Sequence, residues 1–308
     1  LTAQRRAEAL LLSATVVWGS TFVVTKGLLD VATPLAYTAI RFFLAAVIIA
    51  ALFRGRVVSG MRASLLPGVI LGLLLFLGFA FQTIGLQYTT ASKSAFFTGM
   101  LVVFTPVFHA LAQQWMSLPR KPLFAGNLLG VVLSAAGLFL LTSPEGNGVT
   151  SGDGMTLVAA ALFAVYIVYL DGLPKNVDSM SMTFVVFLVC ALSAAVVAGF
   201  FETVRILPGP DFFIPLLYLT IFATVISLGI QNRYQADTTP TRAAVIFSLE
   251  PVIAAVFAYV FRGEELGAAG VAGGGIIFGG LILSELSESI PFLNRHVYGG
   301  NDPRGGNG

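Results

Sequence analysis

Charge is scarce in this chain. Asp, Glu, Lys and Arg supply 10% of its 308 residues, while hydrophobic residues supply 56%. Soluble domains carry about a quarter charged residues. A chain this poor in polar groups cannot cover itself against water, so it reads as a membrane protein with the lipid bilayer as its first partner. Cysteine is nearly missing too. Cys190 is the single thiol, which excludes an intrachain disulfide and leaves the redox compartment unreadable. Histidine occurs only at His109 and His296. No H-x-x-x-H spacing or paired-carboxylate motif accompanies them, so neither metal ligands nor catalytic residues are assigned, and an enzyme is not expected. No Walker-type glycine loop is present, so nothing points to ATP or any other cofactor. No repeated selectivity filter marks a channel. The net charge of +2 gives no ground for a nucleic-acid partner.

Apolar length, by contrast, is plentiful. Ten stretches of roughly 17 to 24 residues each suit a bilayer-crossing helix. They cover 9–29, 34–53, 65–87, 92–114, 124–142, 154–170, 182–201, 213–232, 241–261 and 267–285. Turn signals separate them, among them "RGRVVSGMR", "LPRKP" and "SPEGNGVTSGDG". With the N-terminus inside, the inner segments hold Arg5, Arg6, Arg54, Arg56, Arg62, Arg120, Lys121, Lys175, Arg233, Arg295 and Arg304. The outer loops then hold only Arg205 and Arg262. That asymmetry is the positive-inside bias, and it places both termini in the cytoplasm.

The chain repeats itself. "KSAFFTGMLVVFTPVF" followed by "GVVLSAAGLFLL" resembles "RAAVIFSLEPVI" followed by "GGGIIFGGLILS". Pro106 answers to Pro251, Gly130 to Gly273 and Gly137 to Gly280. Lys93 answers to Arg242 after a four-residue gap, about one helical turn. Each half then holds five spans, and an odd number inverts the second half relative to the first. The expected fold is an all-α membrane protein of ten transmembrane helices in a 5+5 inverted repeat. Residues 1–142 form one unit, 143–285 the other, and 286–308 a flexible cytoplasmic tail. In that plan a substrate site lies near the midplane between the halves.

The segments "VVWGSTFVVTKGLL", "AIRFFLAAVIIAALF", "TTASKSAFFTGMLVVFTPVF" and "SLEPVIAAVFAYVFRGEEL" resemble the EamA family of the drug/metabolite transporter superfamily, over nearly all of residues 8–285. The acidic elements depart from symmetry: "FTP" stands in the first half where "LEP" stands in the second. The resemblance implies ten helices, cytoplasmic termini, a multi-pass place in the bacterial inner membrane, and export of small metabolites. Within the family the chain resembles the YddG-type exporters of aromatic and other neutral amino acids. Other metabolites or drugs, such as purines or cationic toxicants, are the alternative cargo, and a membrane enzyme or channel is the rival class. A monomer is the simplest expectation.

Several polar and aromatic residues fall inside these spans. Glu250, beside Pro251, must be protonated, paired or wet in a bilayer; it reads as a cavity residue or as a structural partner of Arg242 or Arg41. Pro251 and Pro106 predict helix kinks. Trp18 and Thr21 share one face of the first helix, with Ser20 beside them. Phe79 and Gln82 share a face of the third. Gln82 cannot favourably face lipid. Lys93, Phe97 and Met100 follow helical spacing on the fourth, where Lys93 either meets a substrate carboxylate or snorkels. Tyr166 lies deep in the sixth. These ten residues are the candidate substrate contacts. Arg41 reads as a cross-helix partner. Gly126, Gly130 and Ser134, with Gly270, Gly274, Gly275 and Gly279, read as close-packing faces.

Overall fold

In the computed structural model the described residues are 2–115, 123–141, 150–174, 176–262, 267–285 and 296–298. The described residues are nearly all helical. The helix order is α1 (Ala3–Leu28), α2 (Pro34–Gln87), α3 (Ala91–Gly99), α4 (Leu101–Trp115), α5 (Ala125–Leu141), α6 (Ser151–Asp171) and α7 (Ser179–Phe201). Then come α8 (Pro210–Tyr218), a π-helical stretch (Leu219–Ile226), α9 (Ser227–Tyr234), α10 (Pro240–Phe247), α11 (Glu250–Arg262) and α12 (Ala268–Glu285). Among the described residues, seven helical segments are long and apolar enough to cross a membrane, and 125–140 and 268–284 are shorter apolar helices.

The starts of these helices are written in side chains. Thr2, Thr90, Thr150, Asp178 and Thr239 each accept a backbone N–H of the first turn. In hydrocarbon, or at its edge, those orphan donors have few other partners. Pro34, Pro210 and Pro240 open their helices, where a missing N–H costs nothing.

Helix α2 corrects the expected turn at "RGRVVSGMR". The segment is helical, and only Phe53 (φ −125°, ψ 27°) leaves helical geometry. Its 54 residues would span about 81 Å if straight, far beyond a bilayer core of about 30 Å. Contacts with α7 show that the chain reverses instead. The N–H groups of Leu35 and Ala36 bond Glu202, past the end of α7, and Phe42 packs on Phe187. Arg56 meets Asp178 at the start of α7. Beyond the break the order inverts: Gly60 lies against Asp178, Gly68 against Val185 and Gly72 against Val189. The two arms of α2 therefore run in opposite directions along one neighbour. The turn is helical because it has a buried side to satisfy: Val57 is buried and its carbonyl accepts the Ser181 hydroxyl.

Breaks also fall in the helices carrying Pro106 and Pro251, but upstream of both prolines. One lies at Met100, between α3 and α4, and the other at Ser248–Leu249, between α10 and α11. Pro251 sits in the first turn of α11, where proline is tolerated, whereas Pro106 lies inside α4. Within the tail, His296–Tyr298 pairs as a short antiparallel strand with Leu123–Phe124. The rest of 286–308, like the "LPRKP" segment, lies outside the described residues.

Helices α5 and α12 meet through glycine, but not on every face expected. A Cβ on Gly130 would stand 2.8 Å from the Gly280 carbonyl, and one on Gly137 would stand 2.6 Å from that of Gly273. Asn127 on α5 donates to Ser284 on α12. The working glycines on α12 are thus Gly273 and Gly280, a seven-residue seam, while Gly275 and Gly279 meet open space. The contact is reciprocal. If Gly130 answers to Gly273 and Gly137 to Gly280, then Gly130–Gly280 and Gly137–Gly273 are one contact seen twice, as two-fold symmetry requires.

Two outcomes follow from this packing. Gly137→Leu forces α5 off α12 and is expected to destabilise by about 1–3 kcal/mol, whereas Gly275→Ala stays within about 0.5 kcal/mol; thermal unfolding in detergent measures both. At the start of α7, burial pushes the Asp178 carboxyl up, but the Ser181 N–H, the Arg56 guanidinium and the Met180 N–H outweigh it. They hold it below the ordinary value of 3.8. A carboxyl depressed in the folded state stabilises above its unfolded pKa and loses that effect as pH falls through the folded one. Asp178→Ala should therefore cost about 1 kcal/mol at neutral pH, and the gap in melting temperature should close on acidification below 3.8.

Candidate functional site

A cavity of about 70 Å³ lies among α1, both arms of α2, α3, α4, α6, α9, α10 and α11. Trp18, Thr21, Phe79, Gln82, Tyr166 and Glu250 line it, together with Arg41, Thr98, Phe163, Gln231 and Phe247. The volume holds a few water molecules and is small beside the roughly 300–1,000 Å³ of pockets for drug-sized ligands.

Trp18 is held by a fault in a neighbouring helix. The stretch Leu219–Ile226 (LTIFATVI) is π-helical, and its many β-branched residues crowd an ordinary α-turn. The Thr224 and Ser227 hydroxyls donate to carbonyls five residues back, at Leu219 and Phe222. The widened turn presents the Ala223 carbonyl to the Trp18 indole N–H at 2.9 Å. It also presents the Thr224 hydroxyl oxygen to Arg41 Nε at 2.6 Å. Such π segments recur at functional sites. The Thr21 hydroxyl donates to the Trp18 carbonyl, so its proton is spent on its own helix and only its lone pairs face inward.

The walls are aromatic. Trp18 meets Phe247 edge to face at 5.4 Å, and Phe79 meets Phe163 at 5.6 Å. Amides and hydroxyls tie the rings together. Gln82 donates to Thr98 at 2.9 Å, linking α2 to α3. The Tyr166 hydroxyl donates to Asn232, which donates to Thr183 at 3.1 Å. Asn232 also lines a vestibule of about 510 Å³ with Arg56, Asp178, Arg233 and Asp237. The Tyr166–Asn232 bond is therefore a wall between vestibule and cavity.

Two charges face this space. Arg41, 2% exposed, spends two of its five N–H donors on Thr224 and the Tyr37 hydroxyl, and stacks over Phe42 and Phe79. Glu250 is 8% exposed. Among the described residues no carboxylate lies within ion-pair distance of Arg41, and no cation or hydrogen-bond donor reaches the Glu250 carboxylate. The ion pair with Arg242 or Arg41 that the sequence left open for Glu250 is therefore not formed.

Four expected contacts lie elsewhere. The Ser20 hydroxyl donates to Val17 and shares a 2.6 Å bond with the Tyr218 hydroxyl. Lys93 stands at the start of α3, with Nζ 3.9 Å from Asp153. Phe97 packs edge to face on Phe96. Met100 sits at the α3–α4 break and packs on the core around Leu101. Arg41 was missed as a cavity residue because its depth in an apolar run fits a cross-helix bond equally well, and it makes that bond too.

The wall has internal register. Trp18 and Thr21 on α1 stand at the same sequence separation from Phe163 and Tyr166 on α6. Phe79 and Gln82 are likewise matched by Leu228 and Gln231, and Thr98 and Leu101 by Phe247 and Glu250. All twelve line the one cavity.

Comparison with known proteins follows the same division. The model of the EamA-like transporter family matches the chain twice, over residues 5–143 and 150–286. An uncharacterized transporter of Archaeoglobus fulgidus is 31% identical over 251 residues, 81% of this chain and 76% of that protein. The uncharacterized inner membrane transporter YedA of Escherichia coli is 24% identical over 281 residues, 89% of each chain. The uncharacterized transporter YoaV of Bacillus subtilis is 23% identical over 295 residues, 91% of this chain and 96% of that protein. A crystal structure superposes with a TM-score of 0.77 at 19% identity, covering 92% of this chain and 97% of the other, and shows a shared fold.

The π segment gives a direct test. Trp18→Phe keeps the ring but leaves the Ala223 carbonyl without its donor. The expected cost is about 1–3 kcal/mol, read as a lower melting temperature, whereas Ser20→Ala, which leaves the cavity wall intact, should not perturb tryptophan fluorescence.

Proposed function

Because this chain belongs to the EamA-like transporter family, we propose that it is a secondary transporter that exports aromatic or other neutral amino acids by alternating access between two inverted five-helix repeats. Membership makes it a membrane transporter; the cargo and the cycle are our reading. The double family match, the reversal within α2 and the reciprocal glycine contact of α5 with α12 support the repeat. Splitting α2 at Phe53 and adding the two shorter apolar helices brings the seven long segments to ten crossings. An even count puts both termini on one face, the lysine and arginine asymmetry favours the cytoplasmic one, and the likeness to YedA favours a bacterial inner membrane.

One observation carries the cargo: an aromatic-walled cavity holds a guanidinium and a carboxyl group, Arg41 and Glu250, and no described residue sets an opposite charge against either. Buried charge in a bilayer is expensive unless paired. A neutral amino acid brings both counter-charges at once. Its carboxylate suits the planar Arg41 fork, its ammonium suits Glu250, and its side chain suits the rings around Trp18 and Phe79. Two mirrored halves can exchange conformations around such a site, with gradients rather than ATP setting direction.

Counterflow of radiolabelled phenylalanine in proteoliposomes tests the proposal. Uptake should saturate and accelerate with unlabelled amino acid on the far side. Arg41→Gln and Glu250→Gln should each raise the half-saturating concentration about tenfold or more, equivalent to about 1.4 kcal/mol. Gln82→Ala should raise it by a smaller factor. Phenethylamine, lacking the carboxylate, should compete equally well against wild type and Arg41→Gln. Competition by organic cations alone would favour a cationic cargo, and a unit conductance would make the protein a channel.

A further inference from the structure

Two polar clusters outside the cavity share one design. In the first, Glu8 on α1 accepts the Thr238 hydroxyl at 2.9 Å and stands 3.1 Å from Arg242 Nε. That second contact is one of charge rather than an aligned hydrogen bond. In the other, Asp153 on α6 accepts the Thr89 hydroxyl and stands 3.9 Å from Lys93 Nζ. The basic residues occupy the same place: the Arg242 N–H bonds the capping Thr239, and the Lys93 N–H bonds the capping Thr90. The sequences read TTPTR at 238–242 and TTASK at 89–93. The separation that pairs Gln82 with Gln231 in the cavity also pairs Lys93 with Arg242. The one that pairs Trp18 with Phe163 also pairs Glu8 with Asp153.

The clusters lie at opposite ends of the bundle. Lys26, at the far end of α1 from Glu8, donates to the Thr89 carbonyl at 2.9 Å. Eighteen residues of helix separate Glu8 from Lys26, about 27 Å, close to the thickness of the hydrocarbon core. Each cluster also crosses between the halves of the chain. Glu8 of the first half holds residues of the second, and Asp153 of the second holds residues of the first. The helices they hold, α10 and α3, run directly to the cavity walls at Phe247 and Thr98.

We propose that these clusters are the two gate latches of the transporter, one for each membrane face. Each joins the halves when its face is shut and must part for that face to open. Both are made here, and the cavity between them is contracted. They are not equally strong. The Arg242–Glu8 contact is shorter and almost wholly buried, whereas the Lys93 side chain is 24% exposed. The Lys93 face is therefore the readier to open. This rests on the alternating-access reading but not on the identity of the cargo.

A single reporter thiol tests it. Leu228→Cys places a sulfur on the cavity wall, while Cys190 is fully buried and silent. Membrane-impermeant maleimide is applied to either face of oriented vesicles. Glu8→Gln should raise labelling from the Glu8 face at least fivefold and lower it from the other; Asp153→Asn should do the reverse. If the single variants fail to fold, the exchange of Glu8→Arg with Arg242→Glu should restore both folding and the parental labelling. Equal shifts from both faces, no shift, or no rescue by the exchange would overturn the latches. Shifts as expected, with no protection of the thiol by any neutral amino acid, would support the latches and instead remove the proposed cargo.

Discussion

Hydrocarbon offers no hydrogen bond, and the architecture of this protein follows from where its polar groups find one. Backbone groups are satisfied in helices, and the starts of α1, α3, α6, α7 and α10 are capped by threonine or aspartate side chains. Where a helix departs from α geometry, a side chain takes up the group released. In the π stretch the Ala223 carbonyl goes to Trp18, and Thr224 and Ser227 bond back five residues. The irregular backbone is thus not a flaw tolerated near the cavity. It positions two of the cavity's residues, Trp18 and Arg41.

The same constraint explains the use of glycine. Lipid supplies no hydrophobic drive between helices, so association depends on close approach. Helices α5 and α12 achieve it by letting each backbone face the other's glycine, with Gly130 on Gly280 and Gly137 on Gly273. A reciprocal contact of this kind needs only one sequence solution, used twice. The cavity lining repeats the economy. Gln82 and Gln231 are the same residue in the two halves, whereas Leu101 and Glu250 have diverged. Divergence is what gives a symmetric frame an asymmetric site.

Much of this was legible in the sequence, and the failures have physical causes. Span positions were readable because apolar length is a bulk property. The turn after Phe53 was not legible because Arg, Gly and Ser mark turns in sequence yet equally suit an amphipathic helix lying against Asp178 and Ser181. On α12, glycines at 270, 273, 274, 275, 279 and 280 hid which ones touch α5; spacing alone cannot choose a face when glycine falls on several. Trp18, Gln82 and Glu250 were found because polar groups in an apolar run are conspicuous. Lys93 was equally conspicuous and lies elsewhere, since conspicuousness reports a partner without saying which. The TT match beside Lys93 and Arg242 is present in the sequence, but the prolines Pro106 and Pro251 align one turn out of register with it.

Two kinds of buried charge are present. Glu8, Arg242 and Asp153 have partners supplied by the opposite half, so their desolvation is compensated within the protein. Truncating one partner of such a pair leaves the other uncompensated, which is why these contacts can hold one conformation against another. Arg41 and Glu250 face the cavity without opposite charge from any described residue. Their compensation must arrive from outside, as water, as a ligand or, for Glu250, as a proton. A protein whose closed contacts are complete at both ends, and whose central charges are not, is most stable when something fills the middle. On the proposed alternating-access cycle, binding lowers the cost of the contracted state, and the halves close around cargo more readily than around an empty cavity.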